Sequence, residues 1–195
     1  MSEKLTPAAL QQMKRDGRKI AAVVCWDSNT AEVADAAGID IVSVGDSAAL
    51  SLDELLVFCR AVRRGVKRAL VSCDLPEPSV EAAQRLVAAG ADMVKVEGVD
   101  NVAAISAAGI SVFAQISDPS DAKPMEEAGA TLLDFRHSGP QNGPSVVEAV
   151  SIPVIGGLGG GPWLDGRVRA IHRLLDDAVA AYAADVRAGR PVKGD

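Results

Sequence analysis

The feature that most constrains the fold is a phrase that recurs at helix ends. It reads "AAGIDIVSV" from Ala36, "AAGADMVKV" from Ala88, "AAGISVFAQI" from Ala107 and "EAGATLLDF" from Glu127. A helical pattern precedes each copy, and each copy runs into a β-branched, apolar stretch. Glycine just past a helix can take the left-handed conformation that ends it cleanly, and the strand starts within a residue or two. The phrase is therefore the helix-to-strand half of a βα unit, used four times. Strand candidates fall at 19–27, 39–46, 68–75, 91–98, 110–117, 130–136 and 152–158. A weaker eighth, near Val168–Ile171, also reads as helical. Helical patterns are clearest at 52–64 and 80–89, and a last helix spans about 174–188 before Gly189 and Pro191.

Strands that alternate with helices imply a parallel sheet. Seven or eight such units, with no break in composition, predict an α/β fold: a compact (βα)8 TIM barrel formed by residues 1–195 as one domain with a C-terminal helix. An open doubly wound sheet is the alternative, but the first βα turn lacks the glycine-rich dinucleotide fingerprint. Aromatic residues make up only 3%, so Val, Ile, Leu and Ala must fill most of the core.

Charge and cysteine usage narrow the function classes. A net charge of −6 without a basic stripe argues against nucleic acid and anionic membranes as partners. The one basic cluster, Arg60, Arg63, Arg64, Lys67 and Arg68, reads as the solvated C-terminus of a helix, where cations suit the dipole. No apolar run approaches a membrane span, and the polar, amphipathic opening does not read as a signal peptide. Cys25, Cys59 and Cys73 are scattered and odd in number, which fits neither a disulfide framework nor a zinc site. A reducing cytoplasm is the expected location.

In a barrel of this kind chemistry sits at the C-terminal strand ends. Those ends carry Asp27 and Ser28, then Asp46 and Ser47, then Asp74, then Lys95 and Glu97, then Gln115 with Asp118, then Asp134, Arg136 and His137. Carboxylates crowded at one mouth repel unless a cation lies among them. Asp46, Asp74 and Glu97 offer hard oxygen donors with no Cys/His set, which suits Mg²⁺. Lys95 and Glu97, two residues apart, share one face of their strand, and such a cation–anion pair suits an anionic substrate beside a metal. Asp27, Ser47 and Asp118 also read as helix N-caps. His137 is an acid or base by type, whereas His172 reads as structural. "IGGLGGGP" lacks the ending of a P-loop. It either lets a ligand approach the backbone or forms a flexible turn, and Trp163 lines the mouth or an oligomer contact. Leu174, Leu175, Ala178, Val179 and Tyr182 make an apolar stripe, expected to pack on the barrel or on a neighbouring subunit.

Seven segments in order resemble the ketopantoate (3-methyl-2-oxobutanoate) hydroxymethyltransferase family. They are "VGDS" at 44–47, "AVRRG" at 61–65, "CDLP" at 73–76, "VKVEG" at 94–98, "IPVIGGLGGGPWLDGRV" at 152–168, "IHRLL" at 171–175 and "DVRAGRP" at 185–191. The resemblance implies a barrel of the phosphoenolpyruvate/pyruvate superfamily and Mg²⁺ held by Asp46 and Asp74, with Glu97 near the metal. It implies that Ser47, Asp74, Lys95 and Gln115 line the site of a small α-keto acid. It further implies a one-carbon unit delivered by methylenetetrahydrofolate, and a homo-oligomer. The family's catalytic base is a glutamate at the end of strand six, where this chain offers Asp134, one methylene shorter, with His137 nearby. Gln115 replaces a family histidine. The family's long loop after strand two and its glycine-rich segment after strand five are both shortened. A related carbon–carbon lyase, decarboxylase or mutase, and a non-catalytic binding relative, are the other readings.

Overall fold

The computed structural model describes residues 3–45, 49–157 and 159–191. Its strands are β1 (Ile20–Val24), β2 (Ile41–Val44), β3 (Leu70–Asp74), β4 (Met93–Val96), β5 (Val112–Ile116), β6 (Leu132–Phe135), β7 (Val154–Gly156) and β8 (Gly166–Ala170). They close into a parallel barrel in sequence order, with β8 back against β1. Helix α1 (Pro7–Arg15) precedes β1. Helices α2 (Ser28–Ala36), α3 (Leu52–Gly65), α4 (Val80–Ala88), α5 (Val99–Ala107), α6 (Ala122–Glu127) and α7 (Gly139–Ala149) follow β1 to β6 in turn. Helix α8 (His172–Arg187) follows β8.

The ambiguous eighth segment is a strand, displaced a little toward the N-terminus of where the sequence suggested. Gly166, Val168 and Ala170 alternate with Arg167 and Arg169, both exposed. That period-two pattern lets small residues face the lumen while arginines face water. Gly166 is required at the closure, because a Cβ there would sit 2.2 Å from the Ile20 carbonyl oxygen.

Two apolar shells hold the barrel. The lumen is filled by Ile20, Ala22, Ile41, Leu70, Met93, Phe113, Leu132 and Ile155, and plugged from below by Leu10 and Met13 of α1. The outer shell packs strands against α2 to α7, and it contains all three cysteines, each buried and unpaired. At the top of the lumen Asp74, Lys95 and Asp134 follow the inner layers on the same strands.

The recurring phrase has a second role that periodicity did not reveal. In three of its four copies the polar side chain two residues past the glycine accepts from the backbone N–H of the preceding strand. Asp40 accepts from Ala21, Asp92 from Val71 and Thr131 from Val112. Asp165 does the same for Val154. Each pairing satisfies a backbone donor at the open lower rim of the barrel, where no strand continues. Cations then cover the buried carboxylates: Arg68 on Asp40, Arg63 and Lys4 on Asp92, and Lys14 on Asp165. Arg63 and Arg68 are therefore not merely the solvated end of a helix, as their clustering suggested. They clamp β2 and β4 to the floor.

Glu126 ties α6 to the start of β7 in the same way. It accepts from the Ser151 and Ile152 N–H groups, from the Ser151 hydroxyl and from the Lys123 ammonium. Burial pushes its carboxyl up, but the Lys123 and Ser151 donors outweigh that and hold it at about 2. A folded-state pKa below the ordinary value means stability that is complete above the ordinary value and lost as pH falls toward the folded one. Urea midpoints should therefore drop between about pH 4.5 and about pH 2. A Glu126→Gln variant should show a shallower drop over that window, because it no longer has this proton to take up.

Helix α8 does not pack on the barrel, the first of the two placements its apolar stripe suggested. None of its residues is buried, and Leu174, Leu175, Val179, Tyr182 and Val186 all remain exposed. It does not lie along the barrel as α2 to α7 do. The chain enters it directly from β8 with no loop to turn it back, since β8 ends at Ala170 and α8 begins at His172. The outer faces of β1 and β8 consequently keep a groove of about 460 Å³, lined by Ala21, Val23, Ile39, Pro162 and Leu164, with Lys19 and Arg167 among its edges.

Candidate active site

Each upper strand end places one functional group. Asp74 closes β3 and is buried. In register beside it on β4 stands Lys95, whose ammonium lies 2.5 Å from Asp134 Oδ2 on β6 and 5.2 Å from the centroid of the Phe113 ring beneath. Both members of the pair are largely withdrawn from water, with side chains 11% and 6% exposed. In so dry a place the cation needs its carboxylate and the ring face. Gln115 is in register with Asp134, and its amide donates to the Glu97 carboxylate. Asn101 in turn donates to the Glu97 carbonyl oxygen at 2.8 Å.

These groups line one cavity of about 530 Å³, with Asp74, Lys95, Glu97, Asn101, Gln115 and Arg136 among its walls. A second lobe, of about 460 Å³, continues from Lys95 and Arg136 across Asp134 to Arg173. Arg136 Nε is 3.9 Å from Asp134 Oδ2, so Asp134 is the shared anion between two cations.

Asp46 and Ser47 lie outside the described residues. Their approach is nonetheless marked by Gly45. A Cβ at Gly45 would stand 3.6 Å from Asp74 Oδ2, so the backbone at Gly45 passes against the Asp74 carboxylate. The Trp26 indole N–H donates to the Gly45 carbonyl oxygen at 3.0 Å, and its ring stacks on His172 at 6.3 Å. Trp26, Asn101 and Arg173 are contributors that sequence reasoning passed over. The only cue was position: Trp26 lies just past β1, Asn101 four residues beyond Glu97 on the next helix, and Arg173 just past β8.

Other candidates sit elsewhere. Asp27 accepts from the Asn29 and Thr30 N–H groups and caps α2, and Asp118 accepts from Ser120 N–H. Hydrogen bonds from Thr30 and Ser120 hold the two carboxyls below the usual range. His137 adopts φ 55°, is exposed, and lines neither lobe. The glycine-rich segment after β7 packs on its own tryptophan: a Cβ at Gly161 would meet the Trp163 ring at 2.3 Å, and the ring also covers Gly143 of α7. Trp163 thus faces α7 and not the mouth.

Among the described residues no group of three metal-capable side chains stands together. Asp74 and Glu97 are two carboxylates on one cavity wall, and the β2 tip runs against Asp74. Such a donor set is all oxygen, open to water and net anionic, and its chemistry fits a hard divalent cation.

A closed eight-stranded parallel barrel is the (βα)8 fold, and solved enzyme structures share it at low sequence identity. The structure of phosphonopyruvate hydrolase with oxalate and Mg²⁺ matches at a TM-score of 0.70 and 18% identity, over 98% of this chain and 90% of that one. A 2,3-dimethylmalate lyase matches at 0.69 and 13%, over 94% and 87%. By sequence the chain belongs to the ketopantoate hydroxymethyltransferase family, whose model matches residues 4–117. The 3-methyl-2-oxobutanoate hydroxymethyltransferase of Cyanothece sp. is 36% identical over 84% of this chain and 81% of its own length. That of Synechocystis sp. is 33% identical over 88% and 84%. The Cyanothece alignment runs over 213 positions, more than the 195 residues of this chain. The relative therefore carries extra residues inside the matched region. Short connections are visible at the mouth, where only residues 45–51 join β2 to α3 and only 117–118 separate β5 from the next helical turn.

Proposed function

We propose that the protein is a magnesium-dependent hydroxymethyltransferase, or an aldolase-like relative, that adds a one-carbon unit to an α-keto acid through its enolate. Methylenetetrahydrofolate is the donor that the family relationship suggests. The observation that carries the proposal is the placing of Asp74 and Glu97 on one cavity wall beside the Lys95–Asp134 pair, in a chain of this family. Asp46, Asp74 and Glu97 would hold the ion, which supplies Lewis-acid polarisation of the keto group. Gln115 keeps the Glu97 carboxylate turned toward the cavity, and Ser47 would help hold the bound acid. Lys95 faces the substrate carboxylate. As Lys95 turns to that carboxylate, Asp134 Oδ2 is released to take the proton beside the carbonyl, the role of general base. His137 would act only from outside the lobes, as a surface proton relay.

The test is proton exchange. With Mg²⁺ in deuterated water, NMR should show loss of the signal beside the keto group of a bound α-keto acid, and chelation should stop it. No exchange across a panel of small α-keto acids would refute the proposal. A second reading, a carbon–carbon lyase or decarboxylase, draws on the short rim, which leaves room for a bulkier acid. It would appear in the same spectra as pyruvate or CO₂ released without any one-carbon donor.

Assembly with a second copy is the use proposed for α8. Its apolar stripe and the β1/β8 groove are complementary surfaces left uncovered on one chain. Asp176, Asp177 and Asp185 on the helix suit Lys19, Arg167 and Arg169 around the groove. Light scattering should give a dimer or larger for the intact protein, and Leu175→Glu with Val179→Glu should reduce it to a monomer. Unchanged mass in that variant would rule out this contact. No helix among the described residues is long and apolar enough to cross a membrane, and three unpaired cysteines suit the reducing cytoplasm proposed as its location.

A further inference from the structure

The two lobes of the mouth differ in charge. The first carries Asp74 and Glu97. The second has the cations Lys95, Arg136 and Arg173 around it, with Asp134 as its one carboxylate. Lys95 already occupies Asp134 at 2.5 Å, and Arg136 reaches the same oxygen only at 3.9 Å. Arg173 makes no ion pair among the described residues. The floor of this lobe is short and apolar, built from Val24, Val168, Ala170 and Gly157. Gly157 keeps it flat, since a Cβ there would lie 2.9 Å from the Val168 carbonyl oxygen.

A monoanionic keto acid with a branched alkyl chain would leave these cations facing that alkyl group. A surplus of cations over an apolar floor suits methylenes below and an anion above. We infer that the second lobe is a subsite for a second anionic group, so the preferred substrate is a dianionic α-keto acid. Its keto and carboxylate end faces Asp74 and Glu97, its short chain crosses the Lys95–Asp134 pair, and its distal carboxylate or phosphonate meets Arg136 and Arg173. The inference rests on the keto-acid reading of the first lobe.

Calorimetry with Mg²⁺ present separates the two. The matched probes are 2-oxoglutarate and 2-oxopentanoate, which have the same chain length but end in a carboxylate or a methyl group. Phosphonopyruvate against 2-oxobutanoate tests a phosphonate at the same place. At least one dianion should bind roughly ten- to a hundredfold tighter than its matched monoanion. In Arg136→Gln/Arg173→Gln that ratio should fall toward one. Arg173→Gln alone, at an exposed helix position, should move it in the same direction even if the double variant folds poorly. Equal or tighter binding of the monoanions, or a ratio that the arginine variants leave intact, overturns the inference and leaves the keto-acid reading standing. Absence of binding by all four acids overturns both.

Discussion

A Lys95→Met variant is expected to lose about a hundred- to a thousandfold of the keto-acid proton exchange, the range seen when one preorganised donor is removed from an active site. It should also unfold more easily, by about 3–5 kcal/mol, because the nearly buried Asp134 would lose its close cation and keep only Arg136, at 3.9 Å. The two effects can be separated. Lys95→Met combined with Asp134→Leu removes both charges and replaces them with apolar volume, which is often neutral for folding. That double variant should recover most of the stability and none of the exchange. Recovery of exchange in it would show that the pair only holds the barrel together. The measurements are urea titration and the NMR exchange assay.

The second large effect concerns the floor of the barrel. Lys14 of α1 is 14% exposed and lies 3.2 Å from Asp165 Oδ2, itself 12% exposed. Its ammonium also donates to the Val147, Val150 and Ile152 carbonyl oxygens, at 2.8, 2.9 and 2.9 Å. One side chain thus completes the end of α7, the approach to β7 and the plug beneath the lumen. Lys14→Met should cost about 3–5 kcal/mol, since it strands a mostly buried carboxylate together with three carbonyl groups. Lys14→Arg should cost less, because it keeps the charge. A loss under about 1 kcal/mol in Lys14→Met, the scale of a surface pair, would show that water replaces the ammonium without penalty. Neither Lys14 variant touches the mouth, so exchange per folded molecule should stay near wild type.

Periodicity and chain punctuation were sufficient for the architecture. Glycines 38, 90, 109 and 129 all take the positive φ that ends a helix, and strands follow them as the repeated phrase requires. The gathering of Asp74, Lys95, Glu97, Gln115 and Asp134 at one mouth was legible too, because a parallel barrel puts all strand ends on the same side. These are local and topological facts, and local chemistry encodes them. Which groups would pair was not legible. Lys95 was read beside Glu97 from their spacing of two, yet its ammonium crosses the lumen to Asp134, while Gln115 takes Glu97. Spacing along a strand reports the face a side chain shares, whereas barrel closure decides which neighbour lies across it. The same holds for Asp40, Asp92 and Thr131, which looked like parts of strands and prove to be caps for the neighbouring strands. It holds for α8 as well, whose apolar stripe was plain in the sequence while its separation from the barrel was not. Residue type and order determined that this chain forms a ring of βα units with acidic tips. Only the closed barrel decided which charge faces which, because those distances are set by strands far apart in sequence.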